Sequence, residues 1–296
     1  MKVLSLFDGI SCGMVALERA GIPVKRYVAY EIEPNAIKIS EKNYPQIEHC
    51  GDVTTADFTQ YQDFDLLIGG SPCQSLSIVQ SKTRQHLDGK SRLFFEFVRA
   101  KEEMRPKWFL FENVASMNDE SKQVISELLG CEPIFIDSGD FSAQERPRCY
   151  WTNIPVLLDY QKSKAVLADV LEDKVDEKYY YDHPLLSIDL SRQVCATMDF
   201  KIHDMHKRIF NPNFKVHTLT TCGGGNTQKK VCVLERVTGG YMLRARKLTP
   251  LEYERLQTLP DNYTAGVADG HRYSAIGNGW TVDVIAHIFT TLKKAV

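Results

Sequence analysis

Residues 64–70, Phe-Asp-Leu-Leu-Ile-Gly-Gly, make a short, almost continuously apolar run that stops at paired glycines. A run that is apolar at neighbouring positions, rather than at every second one, suits a strand covered on both faces, as in a parallel sheet flanked by helices. The same pattern repeats outward from it. KVLSLF (2–7) is a strand, followed by a helical pattern over 13–20; RYVAYEI (26–32) is the next strand and PNAIKISEKNY (34–44) the next helix, with Pro34 in its first turn. Strand three ends at GDV (51–53). Beyond residue 70, SRLFFEFVRAKEEM (91–104) is amphipathic, with Leu93, Phe94, Phe97 and Val98 on one face. KWFLFENV (107–114) is a buried strand, SKQVISELLG (121–130) a helix closed by Gly130, and PIFIDSGDF (133–141) a strand. This alternation predicts an α/β fold with a doubly wound, mostly parallel, Rossmann-like sheet.

After about residue 158 the alternation stops. Residues 201–230 hold six Lys or Arg (Lys201, Lys207, Arg208, Lys215, Lys229, Lys230) against one acid, Asp204. Helical periodicity returns at 249–259 and 281–294. The expected organisation is a catalytic unit over 1–158, a smaller inserted recognition unit over 159–245, and a return to the first unit over 246–296. The 296 residues are 43% hydrophobic and 25% charged with a net charge of −2, ordinary for a globular protein. No run is long and apolar enough to span a bilayer. The N-terminus enters a strand without a signal-peptide pattern, and the eight cysteines include no CxxC pair. A cytoplasmic protein with neither a zinc site nor a disulfide framework is expected.

Ligands of such sheets sit at the carboxyl ends of the strands. FDGISCG (7–13) is a tight turn there, a poor match to GxGxxG. Glu31 lies 22 residues past Gly9 at the end of strand two, and Asp52 ends strand three. Two carboxylates without a phosphate-binding lysine suit a nucleoside lacking a phosphate load, and S-adenosylmethionine is the obvious candidate. Read as residues alone, Glu31 and Asp52 serve equally well as helix caps.

Strand four runs directly into Ser-Pro-Cys-Gln-Ser (71–75). Most lone cysteines are packed core residues. Pro72 would hold Cys73 in one orientation, and Glu112 interrupts the aromatic run of the next strand, where a carboxylate must find a partner or stay protonated. A thiol beside a proton-carrying carboxyl is a covalent-catalysis pair suited to an electron-poor ring.

Six stretches, SLFDGISCG, GGSPCQSLS, LFENV, SAQERPRCYW, RKLTPLEYERLQTLPDNY and YSAIGNGWTV, occur in this order from residue 3 to about residue 290. Together they resemble the blocks of the DNA (cytosine-5) methyltransferases, leaving only 159–240 uncovered. The first 155 residues are phrased most like the vertebrate de novo enzymes, whereas 246–263 resembles bacterial and phage modification enzymes. The resemblance implies transfer of a methyl group from S-adenosylmethionine, leaving S-adenosylhomocysteine, to a cytosine in double-stranded DNA. It implies that Phe7 stacks on the adenine, Glu31 holds the ribose and Asp52 the adenine amine. Gly9, Ile10, Ile32, Val53, Pro72 and Leu93 then line the pocket, with Asn278 and Trp280 closing it. Cys73 attacks C6 and Glu112 holds N3 and the exocyclic amine. Gln144, Arg146 and Arg148 match the Gln-x-Arg-x-Arg block, with Arg146 and Arg148 in the catalytic set and Arg148 on the base O2.

Such chemistry requires a flipped base. On this reading Gln74 and Ser75 fill the space it leaves, Lys82 and Arg84 clamp the backbone, and Gln144, Lys207, Arg208 and Lys215 contact DNA. Thr218, Thr220, Thr221, Gly223 and Gly224 approach base edges. VHTLTTCGGGN (216–226) resembles the start of bacterial recognition segments, though 201–230 also reads as a solvated basic loop. Two features depart from the family pattern: Ser11 and Cys12 replace small glycines of the first turn, and GNGW replaces the common Gly-Asn-Ser-Val. Rival readings are the RNA-methylating branch, whose Cys-Phe-Thr tripeptide is absent here, a non-catalytic homologue, and a redox cysteine protein. Cys12 and Cys149 read as core, and 179–181 as a partly buried strand. A monomer on DNA in a bacterial or phage-infected cytoplasm, with no metal, completes the expectation.

Overall fold

The computed structural model describes residues 1–71, 92–182, 185–222, 226–237 and 240–294. In chain order the strands and α-helices begin with β1 Lys2–Leu6, α1 Cys12–Arg19, β2 Arg26–Tyr30, α2 Pro34–Asn43, β3 Glu48–His49 and β4 Leu66–Gly69. There follow α3 Arg92–Met104, β5 Trp108–Val114, α4 Asp119–Leu129, β6 Ile134–Asp137, β7 Gln144–Glu145 and β8 Pro147–Thr152. The rest are β9 Val194–Thr197, β10 Arg208–Phe210, β11 Val216–His217, β12 Lys230–Val237, β13 Gly240–Lys247, α5 Pro250–Leu256, α6 Asp269–Asn278 and α7 Val282–Phe289.

The chain divides into two compact units, one of residues 1–137, 147–160 and 282–296, the other of 138–146 and 161–281. The first carries a seven-stranded sheet ordered β3-β2-β1-β4-β5-β8-β6. All its neighbouring strands pair in parallel except β8, which runs antiparallel to both β5 and β6. The expected mostly parallel α/β sheet is what is found. Leu66, Leu67 and Ile68 of β4 are fully buried, each stabilising by roughly 1.5–3 kcal/mol. Around them Phe94, Phe97, Phe111 and Trp151 form an aromatic core with ring centroids 4.9–6.0 Å apart. Asn118 caps α4 by accepting from Ser121 N–H, and Gly130 closes it. The order reverses between β1 and β4, a switch point that opens a crevice at the carboxyl ends of these strands.

The second unit contains a four-stranded sheet, β13-β12-β10-β9, and the short parallel pair β11-β7. Its buried side chains form two clusters, one around Phe210, Tyr253, Leu256 and Tyr273, the other around Cys195, Met198, Ile209 and Cys232. Two sequence readings differ from the structure, and one helix has no clear signal in the sequence. The return to the first unit comes at Val282 rather than at 246, because α5 and α6 bury Tyr253, Leu256, Tyr273 and Ile276 in the second unit. Helix α6 is too polar to announce itself. Tyr179 closes a 3-10 turn and Tyr180 makes one isolated bridge to Arg246, so 179–181 is not a strand. No helix among the described residues is long and apolar enough to cross a membrane.

Candidate active site

The turn after β1 is tightly specified. Phe7, Gly9 and Ser11 all have left-handed φ near 58–59°, which costs little only at Gly9. The strain is held by Asp8, whose carboxylate accepts from the hydroxyls of Ser11 and Tyr27, the latter at 2.7 Å. Burial of Asp8 raises its pKa against the lowering effect of these bonds. Ser11 also bonds the Ser40 hydroxyl at 2.6 Å. The sequence alone did not single out Asp8, although a polar residue beside a strained turn is a usable signal.

Glu31 is fixed from its backbone side. Its Oε2 accepts from Gly9 N–H at 2.8 Å, and its Oε1 accepts from Ile32 N–H and Glu33 N–H at 2.8 and 2.9 Å. Phe7 is half-buried against the core, while Ile32 is 70% exposed beside Glu31. Asp52 does cap a 3-10 turn, its Oδ1 accepting from the N–H and hydroxyl of Thr54 at 2.9 Å each. Its Oδ2 has no partner among the described residues. Ile10 and Val53 are buried, and Leu93 is half-buried against the same core.

Gly69 pairs with Phe111, so Glu112 stands one residue past the end of β4 at the carboxyl edge. Across the antiparallel β5–β8 pair, Glu112 faces Tyr150 and Val114 faces Arg148. Glu112 and Arg148 are thus offset by two residues on one face, and Arg148 Nε meets Glu112 Oε1 at 2.8 Å with both side chains about nine-tenths buried. Arg148 also donates to the Pro147 carbonyl at 2.9 Å. Asn113 Nδ2 reaches the Ser71 carbonyl at 3.4 Å, tying this edge to the end of β4. The buried Ser71 hydroxyl finds no partner among the described residues. Pro72, Cys73, Gln74, Ser75, Lys82, Arg84, Gly223 and Gly224 lie outside the described residues. Cys149 pairs with Asn113 across the β5–β8 ladder and is fully buried, and burial pushes its thiol up to about 11, as befits a core residue.

In the second unit several expected site residues make hydrogen bonds within the fold. Arg146, expected in the catalytic set, is 5% exposed and donates to the carbonyls of Leu219, Gly277 and Gly279 at 3.0–3.1 Å. It is a structural clamp across three segments. Gln144, expected on DNA, is wholly buried; it donates to Leu256 O and Gln257 Oε1 and accepts from Leu219 N–H. Lys215, also expected on DNA, spends its ammonium on the carbonyls of Ser142, Ser163 and Ala165. Buried carbonyls demand donors, and these three side chains supply them.

Lys207 pairs with Asp204 at 3.0 Å, whereas Arg208 is exposed without a hydrogen-bond or ion-pair partner among the described residues. Thr218 donates to the Glu145 carbonyl, and Thr221 is exposed. Thr220 is half-buried, its hydroxyl 3.9 Å from the Cys222 thiol. Asn278 is exposed at the end of α6, and Trp280 is half-buried. A polar cleft of about 260 Å³, lined by residues including Glu172, Lys174, Tyr179 and Arg272, contains none of the expected site residues. Among the described residues no group of three His, Cys, Asp or Glu could hold a metal ion.

Two stability predictions arise here. Replacing Arg146 with methionine leaves the Leu219 and Gly277 carbonyls without this donor, Gly279 keeping Gln257 Nε2 at 3.1 Å, and should cost about 2–3 kcal/mol of the second unit's stability, read as an earlier urea midpoint with unchanged slope. A Cβ at Gly277 would lie 2.4 Å from the Thr220 carbonyl oxygen and 2.8 Å from Thr221 N. Gly277→Ala should therefore lower stability by about 1–3 kcal/mol through overpacking. A melting temperature equal to wild type would contradict that contact.

The fold and the edge carboxylates define a methyltransferase-type α/β protein. A family model described as C-5 cytosine-specific DNA methylase matches residues 1–294. The chain is 28% identical over 314 residues to the type II methyltransferase M1.ScrFI of Lactococcus lactis subsp. cremoris, covering 96% of this chain and 76% of that protein. It is 25% identical over 430 residues to the orphan methyltransferase M.SPBetaI of Bacillus phage SPbeta, covering 99% and 97%. The S. pombe Dnmt2 methyltransferase structure shares the fold with a TM-score of 0.69 at 18% identity, covering 100% of this chain and 99% of that one. The chain belongs to the C-5 cytosine-specific DNA methylase family and is thus a DNA (cytosine-5) methyltransferase.

Proposed function

We propose that the protein methylates C5 of cytosine within a short motif of double-stranded DNA, taking the methyl group from S-adenosylmethionine and passing through a covalent Cys73 adduct. The observation that carries this reading is the Glu112–Arg148 pair at 2.8 Å on the carboxyl edge, beside the strand end from which the Cys73 segment departs. Cys73 thiolate forms a bond to C6 of the base, the C5=C6 electron pair shifts to C4=C5, and the C4=N3 pair moves onto N3, which takes up a proton relayed through Glu112. Arg148 holds O2 and fixes the orientation of Glu112. After methyl transfer to C5, a base removes the C5 proton, the C5=C6 bond re-forms, Cys73 leaves with the S–C6 electron pair, and N3 returns its proton through Glu112.

The donor set at the sheet edge fits a nucleoside-bearing methyl donor. Glu31, oriented by three backbone N–H groups, would hold the ribose; the unpartnered Asp52 Oδ2 would take the adenine amine; Phe7 and Ile32 would flank the ring. When bound, the group supplies an electrophilic methyl on sulfur. Pro72, Leu93, Asn278 and Trp280 complete the proposed pocket. The target base must leave the stack, a task proposed for Gln74 and Ser75, with Lys82, Arg84, Lys207 and Arg208 on the backbone and Thr218, Thr220, Thr221, Gly223 and Gly224 near base edges. The enzyme is proposed to act in the cytoplasm as a monomer.

The test is incubation of purified protein with methyl-labelled S-adenosylmethionine and unmethylated duplex, followed by nucleoside analysis. Label in 5-methyldeoxycytidine is expected. Label only in added RNA, or none with a folded protein, would overturn the reading.

A further inference from the structure

Lys229 and Lys230 are neighbours with opposite fates. The Lys230 ammonium, with a side chain 0% exposed, donates to the carbonyls of His206, Asn226 and Gln228 at 2.6–3.0 Å and lies over the Tyr181 and Phe200 rings. It is a satisfied structural cation. Lys229 is only 6% exposed, yet its ammonium has no hydrogen-bond or ion-pair partner among the described residues. Its Nζ sits 5.6 Å from the centroid of Phe210. Its backbone is pinned on both sides, N–H to the Tyr253 hydroxyl at 2.7 Å and carbonyl from Leu248 N–H at 2.9 Å. The backbone that carries the side chain is therefore fixed. Burial pushes the amine down to about 8, with the Arg208 guanidinium adding to the lowering.

A buried cation without a counter-charge is normally costly. Here it stands near Cys222 and near Arg208, which is itself exposed and without a partner among the described residues. Its neighbours Phe210 and His217 form an edge-to-face ring pair with centroids 5.0 Å apart, giving the site a firm wall.

Resting on the proposed function, we propose that Lys229 is a recognition residue that donates a hydrogen bond to an acceptor of the DNA duplex, a backbone phosphate oxygen or the O6/N7 edge of a guanine. Arg208 supplies the exposed second charge beside it. Most of the Lys229 side chain is already out of water in the free protein, while its ammonium keeps enough solvent contact for an acceptor to reach it.

The test compares wild type, Lys229→Met and Lys230→Met in thermal melting, duplex binding across a salt series, and base-resolution methylation context. Lys229→Met should melt at or above the wild-type temperature, whereas Lys230→Met should melt lower because three carbonyls lose their donor. If the acceptor is a phosphate, Lys229→Met weakens binding about tenfold on all sequences and reduces the salt slope by about 1. If it is guanine, the slope is kept and the methylated motif loosens at one position. Binding, slope and motif all within twofold of wild type would overturn the inference, as would a Lys229→Met protein that melts 10 °C lower. Wild-type protein that neither binds nor methylates duplex would instead remove the DNA reading itself.

Discussion

A methylation map of DNA from a methylation-free host expressing Cys73→Ala should be blank, while wild type marks cytosines in one short motif. The reason is chemical. C5 of cytosine is not a nucleophile until C6 carries an electron-donating substituent, and no other side chain is proposed to add there. Cys149, the cysteine on the strand that faces Glu112, is fully buried, and its thiol is held in the neutral form at physiological pH. Cys12 is buried in the first turn of α1. Loss of a catalytic nucleophile removes most of the rate, here at least about 10⁴-fold. The variant should keep its affinity for duplex and for the methyl donor, which separates lost chemistry from lost folding. Residual methylation in the same motif at a few per cent of wild type would show that another group performs the addition.

Glu112→Gln should lower single-turnover methylation by about 10²–10³-fold, within the range for general acid catalysis. Glutamine keeps the shape and can donate a hydrogen bond to N3, but it cannot deliver a proton. It also leaves Arg148 without its anion, so the guanidinium keeps only the Pro147 carbonyl among its described partners. Because both side chains are about nine-tenths buried, folding stability should also fall, by about 3 kcal/mol, read as an earlier urea midpoint. Donor and duplex affinities within threefold of wild type would place the defect in the chemical step. A rate within threefold of wild type would mean that Glu112 only anchors Arg148.

Much of this was legible in the chain because apolar runs with glycine stops report two-sided burial. β1, β2, β4, β5 and the Gly130 stop of α4 all fall close to where periodicity puts them. Glu112 was legible because a carboxylate inside an aromatic strand has to be satisfied, and Arg148 satisfies it from two residues away on β8. Residue type did not say which polar groups would be consumed by the fold. Arg146 and Gln144 sit in a motif block, but their partners lie 73–133 residues away, at Leu219, Leu256, Gln257, Gly277 and Gly279. Lys215 belongs to a basic run whose charge looked free, yet it closes three carbonyls. The turn at Asp8 was hidden for the converse reason: its strain and its hub are visible only once Tyr27 and Ser40 come alongside. Helix α6 stayed hidden because it is buried only through Tyr273, Ile276 and Gly277 in an otherwise polar stretch.

The most direct test is mass analysis of the protein after reaction with S-adenosylmethionine and a duplex whose target cytosines carry fluorine at C5. Fluorine leaves no C5 proton to remove, so the S–C6 bond cannot break after methyl transfer. The account predicts a denaturation-resistant protein–DNA species whose only modified peptide carries the base on Cys73. Free protein, or an adduct on any other residue, would contradict it.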